Sequence, residues 1–259
     1  MSETMYVAGS GALVQQMRLE VLSNNLSNVN TVGFKEDRTV FRAYLPGASG
    51  SIEEVSDIEL ISGNQGHLQY LPSNFHVEFE GTKTSFAPGQ LKHTGNELDV
   101  GLDGKGFFCI QTPDGVCYTR KGNFSVNENG VLATQEGLPV LGRGGEIKIE
   151  GRNIAIDVEG NISVDGKKVG TMKIIDFQRP YALDKVGDTL FAQSTEEVGE
   201  KIAEEVNVNQ GFLELSNVDA VKVMTEMIEV LRAYESYQKV IRCVDEINSK
   251  AINEVGTLA

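Results

Sequence analysis

Apolar side chains recur every seven residues near the start of the chain: Met5, Ala12, Leu19 and Leu26 form one column, and Ala8, Gln15, Leu22 and Val29 a second, three residues on. A heptad repeat of this kind predicts an α-helix with one face prepared for another helix. Val14, Met17 and Val21 add a strip on a neighbouring face. Gly9 and Gly11 disfavour the first turns, so the helix is expected to be firm from Ala12 onward. Its last turns are unusual, because "VLSNNLSNVNTVGFK" (21–35) spends them on asparagine and serine. These side chains compete for backbone hydrogen bonds and are mediocre helix formers.

The far end repeats the theme. Ser216, with Asp219 three residues later, reads as an N-cap, and a helix is expected from there to about Asn253, with neither Pro nor Gly in between. Ala220, Met227, Tyr234 and Ile241 make one seam column, and Val223, Val230, Tyr237, Val244 and Ala251 the other. Met224, Leu231 and Ile252 widen the stripe on one edge, Val240 and Ile247 on the other. A helix that is apolar on more than one side needs a partner along its length, or several. The two terminal helices could pair within one chain, or also pack against copies or relatives of themselves. Isolated chains are then expected to have weakly helical ends.

Between the helices the period changes. Short apolar runs are interrupted by "APGQ", "DGKG", "PDG", "NENG", "QEGLP", "GRGGE", "VEGN" and "VDGK", a density of turn signals that predicts antiparallel hairpins rather than βαβ units. Expected strands are Leu98–Leu102, Gly106–Gln111, Val116–Arg120, Val131–Thr134, Ile147–Glu150, Ile154–Asp157 and Met172–Phe177. The fold class is therefore α+β: terminal helices paired as a coiled coil around a central antiparallel β-rich domain. The expected divisions are a helical segment 1–43, an extended connector 44–75, a β-rich domain 76–210 and a second helical segment 211–259 that packs with the first.

Charge follows this division. The chain of 259 residues carries a formal net charge of −14. Residues 1–50 are neutral overall, residues 215–259 carry −2, and −12 falls on the middle. Neutral ends can approach one another while an acidic body repels nonspecific contacts. The same charge argues against nucleic acid or acidic lipid as partners. No apolar run is long enough to span a membrane, and "MSETMYVAGSGALVQQMRLE" lacks the basic start and unbroken apolar core of a cleavable secretory signal.

Chemistry is hard to place. His67, His76 and His93 have no metal-ligand spacing. "DVEGNISVDGKK" begins like a calcium loop at Asp157, Glu159 and Asn161, but Ile162 stands where glycine is needed and Lys168 where the closing acid belongs, so it reads as a turn. "GLDGKG" and "GRGG" lack the ending of a phosphate loop, and there is no Gly-x-Ser-x-Gly elbow. Cys109 and Cys117 flank the turn "TPDG". With Pro113 and Asp114 as a two-residue loop, Ile110 faces Cys117 and Cys109 faces Tyr118, so no disulfide is expected. All three thiols, Cys243 included, are read as small packed apolar groups. No enzyme, metal or cofactor is expected.

Three blocks resemble a known family. "LEVLSNNLSNVNTVGFKEDR" (19–38) looks like the N-terminal signature of flagellar basal-body rod and hook proteins. "TGNELDVGLDGKGFFCIQTPDGVCYTRKGNFSVNENGVLATQEGLPVLG" (94–142) is similar to their shared β-domain block, and "VNQGFLELSNVDAVKVMTEMIEVLRAYESYQKVI" (208–241) to their C-terminal helix. Within that family "RAYESYQKVI", "DEINSKAINEVG" and "YALDKVGDTLF" look most like the proximal-rod subunit, with the distal-rod subunit as the alternative. The resemblance implies a structural subunit of an axial drive shaft that encloses the export channel. It would be exported unprocessed through the flagellar type III apparatus and polymerise with other rod subunits, with the surrounding ring as a further neighbour. A coiled-coil periplasmic binding module is the reading from another class.

In such a tube the interface would run through Leu19, Leu22, Leu26 and Val29 of the first helix, and through Val223, Met227, Val230, Leu231, Tyr234, Tyr237, Ile241 and Val244 of the second. Asn24, Asn25, Asn28 and Asn30 would then set register by bonding neighbouring subunits, each carboxamide being both donor and acceptor. The competing reading of the asparagines is a fraying helix end that leads to Gly33 as a stop. Tyr118, Arg120 and Phe124 in "YTRKGNF" could serve core or interface.

Overall fold

A computed structural model describes residues 2–44, 76–177, 183–193, 199–203 and 206–256. Helix α1 runs from Ser2 to Ser27 and helix α2 from Ala220 to Gly256, with short strands between them. The expected connector 44–75 lies outside the described residues, apart from Tyr44 at the end of a strand.

The chain divides into two compact units. The helix-bearing unit comprises Met1–Leu26, Asp37–Lys83 and Ala220–Ala259, and the β-rich unit comprises Ser27–Glu36 and Thr84–Asp219. These limits differ from the expected divisions. Residues 27–36 go with the β-rich unit, as do 211–219, and strands Asp37–Tyr44 and His76–Thr84 pair as a two-stranded sheet assigned mainly to the helices' unit. Phe41 and Phe79 meet across that sheet with ring centroids 5.9 Å apart.

Both terminal segments form the expected helices. Helix α1 begins at Ser2, close to Met5 where the heptad pattern starts, and Gly11 lies within it against the other helix. A Cβ built there would fall 2.6 Å from the ring of Tyr237 on α2. The glycine thus costs some helix propensity but lets the tyrosine close over the backbone. At the other helix the start is later than expected. Ser216 Oγ accepts a 3.2 Å hydrogen bond from the Val218 N–H, a local turn, and α2 begins at Ala220 with Asp219 in the preceding, capping position.

The β-rich unit is built on a six-stranded antiparallel sheet. Its spatial order is Leu183–Val186, Leu190–Gln193, Gly115–Thr119, Phe107–Thr112, Ile174–Phe177, Glu200–Ile202. The central run Phe107-Phe108-Cys109-Ile110 is buried throughout because the sheet is covered on both faces. Phe108 and Ile110 point into one apolar cluster with Val100, Phe124, Leu132 and Met172. Phe107 and Cys109 point into the other with Tyr118, Phe177 and Phe191.

The hairpin register matches the reading of "TPDG": Thr112 pairs with Gly115, Ile110 with Cys117 and Cys109 with Tyr118. All three cysteines are free. Burial pushes the Cys109 thiol up to about 12, which keeps it protonated and inert. Cys243 departs from expectation, since it is exposed on α2 rather than packed.

Turns close the smaller hairpins. Asp165 and Gly166 both have positive φ (50° and 79°), the conformation that a two-residue hairpin loop needs, and Val164 pairs with Lys167 across them. Asp157 Oδ1 accepts from the N–H groups of Glu159 and Asn161 at 3.0 and 2.8 Å, so the calcium-like stretch is a side-chain-capped turn. The expected strand Ile147–Glu150 forms no ladder; it touches a neighbour through a single bridge, Lys148 to Val131. Tyr118, Arg120 and Phe124 are all buried, which resolves them as core.

Candidate functional site

Within the helix-bearing unit, the heptad columns mark one face of each helix. On α1, Ala8 and Leu22 are buried, while Met5, Ala12, Leu19 and Leu26 are half-buried. Val29, just past the end of the helix and assigned to the β-rich unit, is also half-buried. On α2, Val223 and Val230 are buried, and Met227, Tyr234, Tyr237, Ile241 and Val244 are half-buried. Only Leu231 among the expected α2 positions is exposed.

The rest of the α2 surface is also rich in apolar groups. Val221, Met224, Ile228 and Leu231 follow one another at three- and four-residue steps and are 75%, 50%, 52% and 41% exposed, which leaves a second helical stripe facing water. Val240 and Ile247 are exposed along another edge, as are Tyr6, Val7 and Leu13 on α1. At 1.5 Å per residue α2 is about 55 Å long and α1 about 39 Å, so one α1 cannot line the whole of α2. Apolar residues exposed at helical spacing are what a helix with more than one packing partner carries.

The asparagines separate into different roles. Asn25 is buried, and its carboxamide is engaged at both ends: Nδ2 donates to the Asp37 carbonyl at 2.7 Å, and Oδ1 accepts from the Asp37 N–H at 2.9 Å. The side chain thus imitates a paired strand and holds the first β-residue to the last turn of α1. Asn28 accepts a 3.0 Å hydrogen bond from the Thr31 hydroxyl in the turn that follows the helix. Asn24 and Asn30 are exposed. Asn25→Ala is expected to destabilise the helix-bearing unit by about 1–3 kcal/mol, and Asn30→Ala by less than about 0.5 kcal/mol, when urea unfolding of the two variants is compared. Equal midpoints would remove the clamp.

A second feature lies in the β-rich unit and has no counterpart in the sequence reading. Lys35, Arg120 and Glu214 are buried together, with relative exposures of 1%, 6% and 1%. Lys35 Nζ donates to Glu214 Oε1 at 2.7 Å and to the Ala87 carbonyl at 2.8 Å. Arg120 Nη1 reaches Glu214 Oε2 at 3.1 Å, and its Nη2 donates to the Gly104 carbonyl at 2.5 Å. The Gly89 N–H also donates to Glu214 Oε1 at 2.8 Å. Two cations therefore share one carboxylate, and Arg120 Nε is left without a partner. Burial lowers the pKa of Lys35, opposed by the charge of Glu214; burial likewise lowers Arg120 against the same attraction.

Nothing in these arrangements resembles a reaction centre, and among the described residues no group of acidic, His or Cys side chains could hold a metal ion. Comparison with known proteins supplies the decisive observation. Residues 5–35 match the family described as flagella basal body rod protein, residues 101–164 the flagellar hook protein FlgE/F/G D1 domain, and residues 209–254 the flagellar basal body rod FlgEFG protein C-terminal domain. The chain is 34% identical over 273 residues to the flagellar basal-body rod protein FlgG of Bacillus subtilis, covering 98% of this chain and 99% of that one.

The chain belongs to the flagellar basal-body rod protein family. The rod protein FlgF of Caulobacter vibrioides is 30% identical over 261 residues, covering all of both chains, and that of Mesorhizobium japonicum is 30% identical over 262 residues, covering 99% of both. The protein is accordingly a structural subunit of the basal-body rod and not an enzyme. Among the described residues of this rod protein no helix is long and apolar enough to cross a membrane. Lys35, Arg120 and Glu214 each come from a different one of the three matched segments, so the buried cluster joins all three parts of the rod protein's pattern.

Proposed function

We propose that this rod protein is a proximal-rod subunit, polymerising through α1 and α2 to build the shaft that transmits torque and encloses the export channel. The observation that carries the polymerisation is the exposed stripe Met224, Ile228 and Leu231 on a helix that is already half-covered on another face. The covered columns serve the pairing of α1 with α2 as a coiled coil, and the exposed stripes take the helices of other rod subunits. Asn24, Asn28 and Asn30 lie at or just past the end of α1, where hydrogen bonds to a neighbour would fix axial stagger. The acidic β-rich unit contacts adjacent subunits and the surrounding ring. Export through the flagellar type III apparatus delivers the chain to the growing tip.

The position along the rod rests on "RAYESYQKVI" and "YALDKVGDTLF"; the distal-rod subunit is the second reading, from the same family match. Electron cryotomography of basal bodies from a strain lacking this chain separates the two. A proximal subunit leaves basal bodies with no rod beyond the base. A rod that extends most of its length and lacks only its outer part would assign the chain to the distal section instead.

A further inference from the structure

The two glycines of α1 differ in what stands above them. Gly11 lies under the Tyr237 ring, and that close approach accounts for a residue that otherwise weakens a helix. A Cβ built on Gly9 would meet nothing within 4 Å, so among the described residues no such contact accounts for it. Its neighbours on the helix surface, three residues before and four after, are Tyr6 and Leu13, and both are exposed. Two large apolar side chains thus flank a residue that has none. Facing water, this arrangement gives up helix propensity and gains no packing. Facing a second helix, it is a hole between two posts, the shape that receives one side chain of a partner.

Helix α2 carries a ridge of matching spacing. Its exposed Met224, Ile228 and Leu231 follow one another at steps of four and three residues. Read from its C-terminal side, the α1 surface runs Leu13, Gly9, Tyr6, also at steps of four and three. Laid antiparallel, the two surfaces set Leu13 beside Met224, Tyr6 beside Leu231, and Ile228 over the gap at Gly9. Laid parallel, Ile228 falls on Ser10 instead. Both surfaces are exposed in the single chain, so the mate of each belongs to another molecule. A ridge that met the same ridge on a second copy would close a two-fold pair and stop there. A ridge that meets a different surface leaves one socket and one ridge still unfilled, and copies can go on adding.

We propose that Gly9, between Tyr6 and Leu13, is the socket for Ile228 of a second copy of this chain, docked with α1 antiparallel to the incoming α2. The inference rests on the reading of this chain as a subunit that polymerises through its helices, and it names which surfaces meet. Gly9 is then kept for the contact between copies, as Gly11 is kept for the contact within one.

The test has two arms, both in cells that carry no other form of the chain. In the first, Gly9→Leu fills the socket. The purified variant is expected to unfold at a urea midpoint no lower than that of the natural chain, because leucine is the better helix former. Its amount in basal bodies is expected to fall at least about tenfold, since an overfilled contact is expelled. In the second arm two forms are co-expressed, one with Leu13→Cys and one with Met224→Cys, both also carrying Cys243→Ser because that thiol is exposed. Mild oxidation of basal bodies is expected to join them into a dimer, whereas Leu13→Cys with Leu231→Cys gives at least about tenfold less. The proposal is overturned if Gly9→Leu is incorporated normally or unfolds more easily, if the Leu231→Cys pair joins in place of the Met224→Cys pair, or if neither joins. Normal incorporation of Gly9→Leu alongside exclusion of Ile228→Asp would defeat the socket alone; normal incorporation of both would defeat polymerisation through these helices as well.

Discussion

Glu214→Gln is expected to cost the β-rich unit about 3–5 kcal/mol. The substitution is nearly isosteric, so the effect is one of charge. Glu214 is bonded to both Lys35 Nζ and Arg120 Nη1, and all three side chains are withdrawn from water. Without its charge two buried cations face each other across a neutral amide, whose N–H groups also replace an acceptor at one of the two oxygens. A domain is stable by only about 5–15 kcal/mol, so the urea midpoint of the unit is expected to fall steeply. Lys35→Met differs, because it removes one cation and its bonds to Glu214 and the Ala87 carbonyl while the Arg120–Glu214 pair stays. A midpoint for Glu214→Gln within about 1 kcal/mol of the natural chain would show that the cluster is hydrated rather than buried.

What the sequence disclosed and what it withheld follow the range of the interactions concerned. The columns from Val223 to Val244 were legible because a heptad is local information, and a buried face repeats its residue type every turn or two. The hairpin at "TPDG" was legible because the turn sets the register, so the facing of Cys109 and Tyr118 could be counted outward from it. The firmness of the first turns of α1 was less legible, for a complementary reason. Gly11 is judged by its own propensity until the Tyr237 ring above it is known, and that residue lies on the other helix.

The charged cluster was invisible for the same reason in stronger form. Lys35 and Glu214 are 179 positions apart, and Arg120 and Glu214 are 94 apart. A lone Lys after Gly-Phe carries no sign of its partner; the only hint is that "VGFK" places a cation directly beside a large apolar side chain. Asn25 is a different case. Its partner is the backbone of Asp37, which any residue could provide, so composition drew attention to the asparagines without showing that this one is used inside the subunit.

The second large effect is on assembly and not on stability. Ile228 is 52% exposed in the middle of the uncovered α2 stripe, between Met224 and Leu231. In the lone chain, Ile228→Asp exchanges one surface side chain for another and is expected to change stability by no more than about 0.5 kcal/mol. In the proposed shaft the same position is covered by a neighbouring helix. Burying isoleucine there contributes about 1.5–3 kcal/mol per subunit, and forcing an unpaired carboxylate into that place costs several kcal/mol more. Each subunit in a polymer meets more than one neighbour, so the penalty recurs at every joint. Val230→Asp makes a useful comparison, since Val230 is already buried within the helix-bearing unit and its loss is expected to damage the lone chain as well. Two residues apart on one helix, the pair separates folding from polymerisation.

The most direct measurement is the amount of Ile228→Asp protein in purified basal bodies, together with swimming, in cells that carry no other copy of the chain. The account predicts a folded, soluble subunit at normal cellular abundance, absent from the basal body, in cells that do not swim. Normal incorporation and wild-type swimming with aspartate at position 228 would contradict it, because the exposed stripe of α2 would then meet water in the rod as it does in the lone chain.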